Sequence, residues 1–145
     1  MNGGEVVNWS PKADCIAARA NSQIGTAFKL HGRTAGEALD CVGLVGFAIA
    51  PFCAGAKLPA HYQMRGEFTD KVTNFLGDAP FAHLPGHASW QSGDIILAQA
   101  GPRQQHLLIG KDCGFIHAHA GLRRVVWTPA PLPWPHLLRW RIKEF

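Results

Sequence analysis

The chain has 145 residues, 47% of them hydrophobic and 17% charged, a globular balance that fits one domain burying roughly two-thirds of its unfolded surface. No uncharged apolar run reaches about 18 residues, so no membrane span is expected; the start, Met1 to Trp9, lacks the basic opening and apolar core of a signal peptide, which predicts a product that is cytoplasmic as synthesised. The net charge of +4 comes from scattered basic residues without interleaved aromatics, which argues against a nucleic-acid face.

Ser10-Pro11 predicts a helix start, with Ser as N-cap and Pro at the first helical position. Apolar residues follow at Ala13, Ile16, Ala17, Ala20 and Ile24, and Gly25 ends the helix. A polar loop with Phe28, His31, Gly32 and Arg33 leads to a second helix, Asp40 to about Ala50, which is apolar on every side apart from Gly43 and Gly46 and therefore belongs in the middle of the domain. The two glycines read as points where another backbone packs closely, since each costs about 1 kcal/mol of helix propensity. Pro51 ends this helix. Residues 51–92 read as surface loop apart from a helix over Phe68 to Leu76.

From Gly93 the text changes to short β runs, Asp94 to Ala98, His106 to Gly110, Phe115 to His119, Arg123 to Trp127 and Leu137 to Ile142, with the alternating prolines 129–135 as a bridge before the last. Helices followed by strands imply an α+β fold in a single domain, 1–145.

Cys41 opens the central helix after Asp40, in the turn where unpaired N–H groups and the positive dipole end favour thiolate over thiol. A base and an orienting group come from the hairpin that follows. A turn at Lys111-Asp112 makes paired residue numbers sum to about 223 and sets His106 opposite His117, whereas a turn at Asp112-Cys113 gives about 225 and sets it opposite His119. Both registers are open at this level. Cys41 as nucleophile, His106 as base and His117 as orienting group together suit attack on an amide carbonyl and a thioester resolved by water, with N–H groups at the helix start as oxyanion donors.

Four linked segments carry a family resemblance: Asp40-Cys41-Val42-Gly43-Leu44-Val45, Gly93-Asp94-Ile95-Ile96, His106-Leu107-Leu108-Ile109-Gly110 and Phe115-Ile116-His117-Ala118. In order and spacing the chain resembles the NlpC family of cell-wall cysteine peptidases over roughly residues 13–127. The resemblance implies a papain-like core, N-terminal helices packed on a five- to six-stranded antiparallel sheet. It implies a catalytic set of Cys41, His106 and His117, and as substrate the peptide stems of peptidoglycan, cut between D-glutamate and the following diamino acid. Small size and the missing signal look similar to members carried by phage tails or gene-transfer particles, with tail proteins as partners and the particle as the route to the wall. Three positions depart from the pattern. Ala27-Phe28 stands where the family often has Pro-Tyr, removing a hydroxyl near the nucleophile, and Val42 and Leu108 replace small residues, which predicts a drier or narrower cleft.

The remaining chemistry-bearing residues have plainer readings. Cys15, Cys53 and Cys113 read as inert core thiols with no disulfide, Asp40 as a helix cap, Asp94 as a turn residue, and His31 and Arg33 as solvated loop residues. His61, His83, His87 and His136 lack metal-ligand spacing, so no metal or other cofactor is expected. The tryptophans (Trp9, Trp90, Trp127, Trp134, Trp140) read most simply as core and sheet residues, with Trp90 the candidate for a cleft wall. Two alternatives use the same fold: an amidase or acyltransferase acting on a lipid or acyl substrate through the same thiolate, and a non-catalytic component of a phage-like tail.

Overall fold

Ser10 caps the first helix, α1 (Pro11–Asn21), by accepting a hydrogen bond from the Ala13 amide at 3.2 Å. The computed structural model describes residues 10–53, 58–59, 62, 69–77, 80–85 and 89–144; the expectations that fall on Trp9, His61, Phe68 and His87 lie outside them. The α1 exit is tied to the sheet where Gly25, at φ +95°, donates its amide to the Val125 carbonyl. The second helix, α2 (Cys41–Ile49), begins one residue after its cap Asp40 and buries seven of its nine residues. Its glycines are contact points, as their context predicts. A Cβ on Gly43 would lie 2.1 Å from the Gly32 carbonyl oxygen, because the 31–32 loop rides over the first turn of α2, and one on Gly46 would strike the Leu58 side chain. A third helix, α3 (Thr69–Gly77), buries Val72, Phe75 and Leu76 along one face. No helix among the described residues is long and apolar enough to cross a membrane.

Nine strands among the described residues form one sheet: β1 (Ala27–Phe28), β2 (Arg33–Thr34), β3 (Ala38–Leu39), β4 (Phe81–Leu84), β5 (Ile95–Gly101), β6 (Gln104–Lys111), β7 (Gly114–His119), β8 (Arg124–Pro129) and β9 (His136–Ile142), in the order β2-β3-β1-β8-β7-β6-β5-β9-β4. The five long strands fall where the β runs were expected. The sheet is nevertheless larger than five or six strands, and it is mixed, because β1 and β3 pair in parallel. The extra strands are two to four residues long. At that length no alternation of side chains is visible, and 27–39 and 81–84 therefore read as loop.

The helices cover one face of the sheet in a cluster containing Ile16, Leu44, Val45, Leu107, Ile109 and Ile116, all fully buried. Each such side chain contributes roughly 1.5–3 kcal/mol of transfer free energy. A smaller cluster of Ile96, Ala98, Leu108 and Phe115 is roofed by Trp90, Leu132 and Trp134.

Pairing between β6 and β7 sets up the functional centre. The turn is at Asp112-Cys113, with Asp112 at φ +56°, and the register joins Ile109 to Ile116, Gly110 to Phe115 and Lys111 to Gly114. There the ladder stops. Beyond it β6 stays paired with β5 as far as Gln104, and β7 stays paired with β8 as far as His119, so the sheet opens along a seam between its two central strands.

Candidate active site

The first turn of α2 and the seam meet at Cys41. Gly110 donates its amide to Asp94 on the β5 side, and since N–H groups alternate edges along an antiparallel strand, Leu107 directs its amide toward the open seam. That amide and the Val42 amide lie where they favour the ionised form of the Cys41 sulfur. Cys41 and His106 line one cavity of about 270 Å³ with Tyr62, His119 and Trp134. On the β7 side of the seam His117 is 1% exposed. His106 Nε2 and His117 Nδ1 are 2.9 Å apart, with the rings nearly perpendicular, and His117 Nε2 lies 2.8 Å from the Thr128 hydroxyl. Register alone would put His106 opposite His119. Because the ladder ends at Ile109–Ile116, the His106 ring instead reaches the diagonal neighbour His117 across the gap. His119 lies beside this pair and accepts the Leu122 amide at Nδ1, 3.0 Å away.

No protein-family model matches this sequence, and no curated protein matches it. Solved structures do. The chain superposes on the peptidoglycan hydrolase RipB of Mycobacterium tuberculosis with a TM-score of 0.60 at 21% identity, covering 92% of this chain and 66% of RipB. It superposes on NlpC2 of Trichomonas vaginalis with a TM-score of 0.66 at 16% identity, covering 94% of this chain and 49% of that one. RipD of M. tuberculosis, described as a non-catalytic NlpC/p60 domain protein adapted to peptidoglycan binding, matches at a TM-score of 0.54 and 19% identity over 94% of this chain and 100% of RipD.

The chain has the NlpC/P60 fold.

Phe28 brings no hydroxyl to the cavity, but Tyr62 does. Phe28 lines the cavity, and Tyr62, the single tyrosine of the sequence, donates its hydroxyl to Asp40 beside Cys41. Val42 and Leu108, expected to narrow the cleft, are fully buried in the two apolar clusters instead. The cavity wall comes from Trp134, which meets the rings of both His106 and His117 edge-on with centroids 5.8 Å apart in each case. Trp90, the candidate for that role, instead follows the plainer core reading and packs on Phe115 within the second cluster.

Asp40 caps α2 as expected, accepting the Gly43 amide at 2.8 Å, and it does more. It also accepts the His31 amide at 2.7 Å and the Arg33 guanidinium at 2.8 Å. His31 and Arg33, exposed as expected, are not simply solvated, because both are tied to Asp40: His31 adopts φ +64° to aim its amide at Asp40, and its ring meets the Tyr62 carbonyl at 2.9 Å. Asp94 is likewise no simple turn residue, since it is fully buried and paired with Arg141 through two contacts of 2.8 Å. The thiols of Cys15 and Cys53 are half-buried, while Cys113 is exposed in the β6–β7 turn rather than part of the core.

Burial works against the expected resting thiolate. Burial pushes the Cys41 thiol from 9.0 up to about 12, and the Asp40 charge adds to this; the Leu107 and Val42 amides and Arg33 pull the other way without cancelling it. Such a displacement corresponds to about 4 kcal/mol, whereas a helix N-terminus typically supplies about 0.3–1 kcal/mol. Burial also lowers His106 to about 3, with His117 and then His119 adding to the effect, and lowers His117 to about 4, with His119 second. All three shifts run in the same sense, toward a neutral thiol beside neutral imidazoles.

Thr128, Tyr62 and Trp134 were not singled out as site residues by sequence. Thr128 had a usable signal, because β8 follows β7 in a ladder that pairs Phe115 with Thr128 and so puts Thr128 diagonally next to His117. Tyr62 and Trp134 arrive from irregular segments that carry no periodicity. Among the described residues, no group of three histidines, cysteines or acids could hold a metal ion.

Proposed function

We propose that this protein is a cysteine peptidase that hydrolyses amide bonds in peptidoglycan stem peptides, at the bond between D-glutamate and the diamino acid that follows. One observation carries the reading: Cys41, at a helix N-terminus, shares a cavity with the His106 imidazole, whose Nε2 is 2.9 Å from a second, buried imidazole. RipB, similar in fold and described as a peptidoglycan hydrolase, supports the substrate class.

In this mechanism the substrate carbonyl enters the cavity and displaces water from it. His106 takes the proton as the Cys41 S–H bond breaks, and the sulfur attacks the carbonyl carbon. The Cys41 backbone amide, at the α2 start, serves as an oxyanion donor. The His106 proton then passes to the leaving amine as the C–N bond breaks. Water, deprotonated by His106, releases the acid and restores the thiol. Since thiol and imidazole are both neutral at rest, the transfer takes place only once substrate is bound, and activity is not expected to follow the free-thiol titration.

The test is mass analysis of muropeptides incubated with the protein. Cleavage by the wild type, with a loss of at least about 1000-fold in Cys41→Ala, is the expected outcome. A second reading, a peptidoglycan-binding protein without turnover, is favoured by the suppressed ionisation of the thiol and by the fold likeness to RipD. Unchanged muropeptides with retained binding would establish that reading and reject the first.

A further inference from the structure

We propose that Thr128 is a positioning residue of this site, its hydroxyl holding His117 in the tautomer that leaves His106 free to act as base. The inference rests on the hydrolase reading and follows from counting protons along one row of groups. His106 Nε2 is committed to His117 Nδ1 at 2.9 Å, so the nitrogen left to receive a proton is Nδ1, which must carry a lone pair. The ring proton of a neutral His106 is then on Nε2 and is donated to His117 Nδ1. That nitrogen must in turn be unprotonated, which puts the His117 proton on Nε2. There it meets the Thr128 hydroxyl oxygen at 2.8 Å.

The opposite arrangement disables the site. With the proton of His117 on Nδ1, His106 accepts at Nε2 and bears its own proton on Nδ1, so no base remains. In the first arrangement the Thr128 hydroxyl accepts from the buried Nε2–H of His117, whereas in the second it must turn and donate to a bare Nε2, so the proposal assigns this hydroxyl the accepting role. His117 is 1% exposed and Trp134 stands edge-on to it, so solvent is a poor substitute. When His106 becomes an imidazolium it still donates through Nε2, and the same row of donors pointing toward Thr128 is the one that accommodates the new charge.

The experiment compares wild type, Thr128→Val and Thr128→Ser by stem-peptide turnover and by ¹⁵N NMR of histidine-labelled full-length protein. Expected are an unprotonated His117 Nδ1 and protonated Nε2 in the wild type. In Thr128→Val the pattern should reverse or mix, with kcat down about 10- to 100-fold and KM little changed, the range expected for leaving one buried donor unpaired. Thr128→Ser should recover most of that loss along with the wild-type spectrum. If Thr128→Val does not fold, Thr128→Ala removes the same hydroxyl and is read the same way. Wild-type tautomers and turnover in the hydroxyl-free variant overturn the proposal, as does a loss that serine fails to recover. A wild type with no turnover would reject the hydrolase reading, while the ¹⁵N pattern would still decide the role of Thr128 in setting the tautomer.

Discussion

Two ends of the β5–β6 ladder solve the burial of polar groups in opposite ways. Near Ala98–His106, the seam strips charge from what it buries: Cys41 is driven up to about 12, and His106 and His117 down to about 3 and about 4. Four residues away, about 13 Å along the strand, Asp94 sits beside Gly110. It meets Arg141 through both carboxylate oxygens and accepts the Gln91 amide. One end neutralises its ionisable groups and the other pairs them. Neutralised groups can exchange protons when a substrate changes their surroundings, while a paired acid held by a guanidinium serves as a fixed strut. Asp40 stands between the two cases, since it is a paired acid placed against the neutralised thiol.

Acid should separate the two ends most strongly. Both imidazoles titrate below their ordinary 6.5 in the folded chain, so from there down to about 4 and about 3 the unfolded chain binds more protons. Their contribution to stability is complete above pH 6.5 and is lost as the pH falls. Denaturant melts should lose up to about 1.4 kcal/mol per pH unit for each histidine below pH 6.5, a slope that the double variant His106→Gln, His117→Asn should largely abolish. A wild type equally stable at pH 7 and pH 4.5 would show that the seam does not keep these rings neutral. The next largest effect belongs to the strut. Asp94→Ala leaves Arg141 beside a vacated site and should cost about 3 kcal/mol, measured by urea unfolding at pH 7. The rate at which iodoacetamide alkylates Cys41 in the folded protein should stay unchanged; if it shifts, the two ends are coupled and the division is wrong.

The same division governs what could be read from the amino-acid order. Periodicity located α1, α2, α3 and the five long strands, because each spends enough residues on one environment to print a pattern. The position of Cys41 one residue past an aspartate, ahead of an all-apolar helix, located the turn that carries the candidate nucleophile. Hairpin arithmetic narrowed the partner of His106 to two histidines and stopped there, because the decisive feature is the end of a ladder, fixed by how α2 meets the seam. The burial of Asp94 was hidden for a related reason: its partner Arg141 is 47 residues distant, and Gly-Asp before a strand reads locally as a turn. The protonation state failed most clearly. Cap and helix dipole are local and visible in sequence, whereas desolvation is a sum over β6, β7 and the Trp134 segment and is not.

Asp40 allows the finest cut, because replacing it tests its charge apart from its capping. Asp40→Asn keeps an oxygen for the Gly43 amide, so α2 retains its start. It removes the negative charge that raises the Cys41 thiol and leaves the Arg33 charge that lowers it. Both changes act in one direction, so the thiolate fraction at any fixed pH increases. In the wild type, with the thiol near 12, alkylation by iodoacetamide should climb about tenfold per pH unit from pH 7 to 10 without a plateau. In Asp40→Asn the same line should shift to lower pH, making alkylation at pH 8 about 3- to 10-fold faster, the effect of one partly screened charge at close range. Asp94→Asn should leave the line in place. A slower Asp40→Asn would mean that the carboxylate aids the sulfur by ordering the turn rather than opposing its ionisation. A wild-type plateau between pH 5 and 8 would mean that the thiol and His106 already exist as an ion pair.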